Sequence, residues 1–318
     1  MPSCRRVRPM LHRSLGLAAR NEETCMWSTI VKRLTQPRSK ATPPTEPKNV
    51  LKVTPADVLS SLYTASEQTQ PGSYYFRDPI RLKSSTVGEQ FPLPPAHLRM
   101  GYAVDNDESF LHGGEVSTSG LRAIMEEYGI SLQHIVSVMD WGCATGRVLR
   151  WFAREAQDVE FWGVDQDEAA LMWAKENLSP PFHFVTCTAY PHLPFADNKF
   201  GFIYGLSVFT HLEHFVDLWL MEMHRVLQHG GVAIFTIHDE HTVQFFLENG
   251  RPPWMPDALA LPEIVKHEIT VIHGKHWYET CTFFTGDYIQ RAWGRYFQVL
   301  GIRPHSDGYQ SAVVLRKP

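Results

Sequence analysis

The chain has 318 residues, of which 43% are hydrophobic, 12% aromatic and 20% charged, with a formal net charge of −4. That length holds one large domain or two small ones, and the apolar content is ample for a buried core, which excludes a fully disordered chain. The charge balance excludes a strongly basic nucleic-acid binder, no apolar run approaches the length of a membrane span, and five scattered cysteines without a CxxC pair exclude a disulfide framework and a structural zinc site, which fits a reducing, cytoplasmic setting.

Residues 1–50 read as a basic, proline-containing disordered tail and linker. The first forty positions hold nine Lys/Arg against two Glu, so the remainder is acidic. An Arg-rich, acid-poor start is compatible with an organelle presequence. The preferred reading is an unstructured tail or an over-extended start, with Met26 as the alternative first residue. The apolar stretch at 11–19 is broken by His12, Arg13 and Ser14, which argues against secretion. Residues 51–116 read as an N-terminal cap segment. Positions 54–66 suit a short helix with Pro55 at its first turn. Residues 71–100 carry Pro71, Pro79, Pro92, Pro94 and Pro95, so their order must come from packing on something else. There is no internal repeat.

From residue 117 to 318 the pattern becomes an alternation of strand and helix. A helix is predicted over 119–128, ending at Gly129. The β-branched run 135–139 (IVSVM) predicts a buried strand, followed by a turn over 140–146 and a helix over 147–156. The next strand is 159–164, and the next helix is 167–177 with Asp167 as its cap. Strands follow at 182–185 and 200–204, an amphipathic helix at 215–227 ended by Gly230 and Gly231, and a strand at 232–237. Such alternation predicts a parallel sheet with right-handed crossovers. Its ligand belongs outside the C-terminal strand ends, so the residues just after each strand carry the information.

The strongest signal is residues 138–147, VMDWGCATGR. An acid, Asp140, follows a buried strand, and small residues then lead into helical pattern. Gly142 and Gly146 permit positive φ and close backbone approach. A dinucleotide turn would use the same physics with G-x-G-x-x-G spacing. Here the spacing is G-x-x-x-G, and Asp140 would repel a pyrophosphate while suiting the ammonium of an amino acid. The segment resembles the first motif of the class I S-adenosylmethionine-dependent methyltransferases, acid-x-Gly-x-Gly-x-Gly, with Ala144 at the middle glycine. Further segments in the family's order strengthen the resemblance: GVDQD at 163–167, LPFADNKF at 193–200, GLSVFTHL at 205–212 and RVLQHGG at 225–231. Gly201 stands where the family has a second Asp.

The resemblance implies a Rossmann-like α/β fold: a seven-stranded, mostly parallel sheet sandwiched by helices, with a C-terminal antiparallel hairpin around Ser306-Asp307-Gly308 and a lid insertion at about 242–283. It implies S-adenosyl-L-methionine as cofactor. Asp140, Gly142, Cys143, Ala144 and Gly146 would cradle the methionine part. Asp165, with Gln166, would meet the ribose. Thr188 and Ala189 fall at the adenine position, and Ser207 lies in the segment after the fourth strand. Residues 107–114 would close over the cofactor or form a surface turn.

Methyl transfer from a sulfonium has an excellent leaving group, so in-line positioning and water exclusion are the main tasks. A base is required only if the acceptor must lose a proton. His211, His238 and Asp239 lie after the fourth and fifth strands and are the catalytic candidates. His238, His241 and Glu240 could ligate a metal only in a disfavoured reading, and no metal is assigned. The insertion is rich in aromatics and reads as a substrate lid or as a second small core. The expected activity is methylation of a small-molecule hydroxyl or amine, with no nucleic-acid partner. A protein methyltransferase and a degenerate cofactor-binding scaffold are the alternatives. The oligomeric state is left open.

Overall fold

The computed structural model describes residues 75–76, 91–99, 106–252, 255, 259–273 and 280–318. The tail and linker read over 1–50, the helix read at 54–66, and Trp254, Trp277 and Tyr278 lie outside them. In chain order the elements are β1 (Tyr75–Phe76), α1 (Asp107–Glu127), β2 (Ser137–Trp141), β3 (Glu160–Asp165), α2 (Glu168–Leu178), β4 (His183–Thr186), β5 (Phe200–Gly205), α3 (Val216–Val226) and β6 (Leu227–Ile237). They continue with α4 (Glu240–Asn249), α5 (Leu261–Ile264), β7 (Ile269–Ile272), β8 (Cys281–Phe284), α6 (Gly286–Ala292), β9 (Gln298–Asp307) and β10 (Gln310–Arg316).

The main sheet runs β1-β4-β3-β2-β5-β6-β10-β9. Five central strands are parallel, with Asp140 opposite Gly163 on one side and Tyr204 on the other. β10 enters antiparallel to β6 and pairs with β9 across a turn in which Gly308 has φ 62°. This is the expected fold with one strand more. β1 pairs antiparallel with β4 and covers what would be an open edge.

Strand alternation sends side chains to two apolar layers. Val138, Phe161, Phe184, Phe202 and Ile234 face Leu121 and Ile124 of α1 and Leu171 of α2. Met139, Val164, Ile203, Phe235 and Val313 face Trp219 and Met223 of α3 and Ile289 of α6. Residues of the insertion form a third cluster: Val243 and Phe246 of α4 pack with Ile264, Ile272, Cys281 and Phe283.

Three predicted elements differ. α1 begins twelve residues early, because Asn106 accepts a bond from the Ser109 amide and Asp107 and Glu108 oppose the helix dipole in the first turn. No regular helix forms over 147–156. The chain winds there as two short 3-10 turns with mixed bonds, Arg150 N–H to Gly146 O and Trp151 N–H to Val148 O, both 3.1 Å. Bulky Val148, Trp151 and Phe152 have modest helix propensity, and the turn presses against α1, where a Cβ on Gly114 would lie 2.4 Å from Arg147 O. Finally, β6 starts directly at Leu227; Gly230 and Gly231 lie inside it, beside a register shift against β5, and do not end the preceding helix.

Candidate functional site

β2 lies between β3 and β5, where the sheet's strand order reverses, and a crevice opens there at the strands' C-terminal ends. The turn after β2 is pinned to β3: the Gly142 and Cys143 amides donate to Val164 O at 2.7 and 3.2 Å. Gly142, Ala144 and Gly146 have φ of 80°, 45° and 74°. Their amides therefore turn inward as a concave nest, suited to a polar ligand. A Cβ on Gly142 would lie 2.3 Å from Val208 Cγ2, so the loop after β5 closes directly on this turn.

The cavity beside the turn is lined by Asp140, Gly142, Cys143, Ala144, Thr145, Arg147, Val148 and Leu206, and also by Arg99 and Phe110. Asp140 is 4% exposed. Burial pushes its carboxyl up to about 8, and Asp165 adds to the rise; Tyr204 and Arg147 oppose it in part. A cation placed beside so buried an acid would favour its charged form. Arg99 carries no motif, and nothing in the sequence pattern marked it; Phe110 belongs to residues 107–114, the segment expected either to close over the cofactor or to form a surface turn.

Asp165 ends β3 as expected, and its carboxylate accepts from the Ala144 amide at 2.7 Å and the Asp167 amide at 2.9 Å. It therefore braces the nest, and its remaining lone pairs are what it can offer a ribose. Burial raises its pKa. Asp167 caps α2 through the Ala170 amide at 3.0 Å. Cys187 N–H bonds Asp165 O at 2.9 Å, bringing the segment after β4 alongside. There Thr188 is taken up locally, accepting from the Tyr190 amide at 3.2 Å, while Ala189 and Gln166 are exposed. Ser207, at φ 57°, is tied to Gln310, which also accepts from Thr236 Oγ1 at 2.6 Å. These residues share one end of the sheet with the nest, but Asp165, Gln166, Thr188, Ala189 and Ser207 do not line its cavity.

Residues 138–231 match the family model described as a methyltransferase domain. Within those residues the chain carries a methyltransferase domain. Among solved structures, the PH0226 protein from Pyrococcus horikoshii is 18% identical, over 63% of this chain and 89% of its own, at a TM-score of 0.47. A SAM-dependent methyltransferase from Aquifex aeolicus is 16% identical, over 62% and 89%, at 0.41. A glycopeptide N-methyltransferase, MtfA, complexed with sinefungin is 16% identical, over 64% and 87%, at 0.43. No curated protein sequence matches the chain.

The segments at 193–200 and 225–231, which carry part of the resemblance, are tied together as scaffold. Arg225 donates to Glu222, Asp197, Leu193 O and Phe195 O at 2.7–3.0 Å, and the Leu193 amide donates to Glu222 at 2.6 Å. This clamp fixes the long connection into β5 at the sheet end away from the nest.

Of the catalytic candidates, His211 donates from Nδ1 to Thr280 O at 2.8 Å, since only the carbonyl can accept. Burial lowers its pKa, so the ring is neutral and Nε2 carries the lone pair. His238 is 1% exposed, and neither ring nitrogen has a hydrogen-bond partner. It lies against Phe283 and Tyr309, and burial together with nearby His211 pushes its pKa down to about 3. Asp239 is committed elsewhere. It caps α4 through the His241 and Thr242 amides at 3.0 and 3.2 Å, and pairs with the His241 ring at 3.0 Å. Glu240 accepts from the Gly286 amide at 3.0 Å. Among the described residues no group of three His, Cys, Asp or Glu side chains converges as a metal site. Nor is any helix among them long and apolar enough to cross a membrane.

Proposed function

We propose that this methyltransferase methylates a hydroxyl or amine of a small molecule, with His211 as the base. S-adenosylmethionine, when bound, supplies a methyl group on a sulfonium sulfur. The chain's own residues do the rest. The nest and Asp140 bind the amino-acid end, Asp165 receives the ribose, and the segment at 187–189 borders the base. His211 stands after β5 at the same sheet end. It takes the proton that the acceptor O–H or N–H gives up as the new O–C or N–C bond forms. The observation that carries this reading is the Nδ1–H bond from His211 to Thr280 O, because it fixes the tautomer that leaves Nε2 basic. Thr280 belongs to the segment entering β8, so the insertion helps orient the base. A lid role for residues 242–283 is part of the proposal. So is the cytoplasm as location, which free Cys143, Cys187 and Cys281 fit.

The test is an acceptor screen with methyl-labelled cofactor, followed by His211→Asn on the responding acceptor. Removing a general base lowers kcat by about 10²–10⁴-fold with cofactor affinity unchanged. The wild-type kcat should rise with pH through an ionisation below the usual histidine value, in keeping with the lowered His211 pKa. A kcat that survives His211→Asn removes the base assignment.

A further inference from the structure

The insertion crosses the ends of two parallel strands. The stretch entering and forming β8 is held from one side by the loop after β5: His211 Nδ1 donates to Thr280 O at 2.8 Å, and Thr282 Oγ1 donates to Leu212 O at 2.8 Å. It is held from the other side by the end of β6, where His238 bridges to Phe283 and its carbonyl accepts from the Phe284 amide at 2.9 Å. β5 and β6 are neighbours in the sheet. The two imidazoles therefore meet one short stretch, three strand residues or about 10 Å long. Phe283 and Tyr309 lie against the His238 ring, with centroids 4.9 and 5.7 Å away and tilts of 36° and 33°. Phe246 and Phe245 continue the aromatic cluster behind Tyr309, at 5.0 and 6.3 Å.

A ring 1% exposed with both nitrogens unpartnered costs stability, and the fold keeps it. Burial and His211 push its pKa down to about 3; the nearby Thr282 backbone opposes that in part without a hydrogen bond of normal geometry. The ring is neutral and too weak a base to take a proton from an acceptor. It offers one N–H donor and one lone pair, between aromatic walls. The complement is an uncharged group that both donates and accepts, a hydroxyl or an amino group, on a planar aromatic body. An ionised group would meet no counter-charge on a neutral ring. We infer that His238 holds a second hydroxyl or amino group of an aromatic acceptor, while His211 takes the proton from the group being methylated. The acceptor reaches the ring edge when the insertion lifts β8. This rests on the reading of His211 and of the lid above. It adds that the acceptor carries two polar groups, and that His238 sets the preference for the pair.

The test measures methyl transfer by the full chain from labelled S-adenosylmethionine to phenol, aniline, the benzenediols and the aminophenols. Wild type should use the best two-group acceptor with a kcat/KM about 10- to 100-fold above its one-group counterpart, mostly through KM, the range for pairing one buried polar group. His238→Phe and His238→Leu replace the ring by apolar groups, and removing an orphaned polar group is neutral or stabilising, so their urea midpoints should not fall below wild type. In both variants that ratio should drop to about one, with S-adenosylhomocysteine affinity by calorimetry as in wild type. A merely structural role would lower transfer to one-group and two-group acceptors alike and leave the ratio standing. A ratio that survives in whichever variant folds overturns the inference, as does a wild type that ignores the second group or methylates no member of the panel. His211→Asn separates the two readings: it should lower kcat for every acceptor and leave the ratio intact.

Discussion

Asp140 offers the sharpest test of how the site is built. Burial lifts its carboxyl from the ordinary 3.8 to about 8. Between those values the folded chain holds a proton that the unfolded chain releases, so the unfolded state binds fewer protons and stability falls as pH rises. The contribution is intact below about pH 4 and lost progressively up to about pH 8. At 1.36 kcal/mol per pH unit, the penalty accumulated by pH 7 reaches about 4 kcal/mol. Asp140→Asn keeps the shape and cannot ionise. It should be more stable than wild type by about 2–4 kcal/mol at pH 7, with the advantage shrinking toward pH 5. Urea unfolding at pH 5, 6, 7 and 8 measures this directly. The same substitution should abolish the proton that wild type releases at pH 7 when S-adenosylhomocysteine places its ammonium there, read by calorimetry in buffers of different ionisation enthalpy. Stability curves that run parallel across pH, or an Asn variant less stable at pH 8, would refute the reasoning.

Two further outcomes concern the scaffold. Gly142→Ala meets both a left-handed φ of 80° and a Cβ 2.3 Å from Val208 Cγ2. It should cost about 2–4 kcal/mol, and adding Val208→Ala should recover the steric part alone, as a double-mutant cycle in denaturant would show. Glu222→Gln breaks the Arg225 clamp and should cost about 1–3 kcal/mol while S-adenosylhomocysteine affinity stays as in wild type, because the clamp sits at the far end of the sheet.

Much of the parallel core was legible because its signals are local. Buried β-branched runs, a capping Asp167 and glycines before helical pattern each depend on neighbours in the chain. The nest was legible for the same reason: Gly142 and Gly146 have their positive φ where the turn demands it. Less legible was anything decided by contacts across the sheet. The pattern at 147–156 is helical in period, yet close packing against Gly114 of α1 left only broken turns. Asp239 looked free to act after its strand, but the helix that follows claims its carboxylate as a cap.

The sequence by itself determined the strand–helix alternation, the acid and glycine turn after β2, and the acid ending β3, since each is a short-range pattern with one backbone solution. Only the tertiary structure decided which groups meet in the cavity. Arg99 lies 41 residues before Asp140 and lines the same cavity, while buried Arg150 binds the backbone carbonyls of Phe91 and Pro92 in the segment leading to it. His211 acquires its tautomer from a carbonyl 69 residues away. Burial, which shifts Asp140, His211 and His238, is a property of the packed whole; no spacing along the chain encodes it.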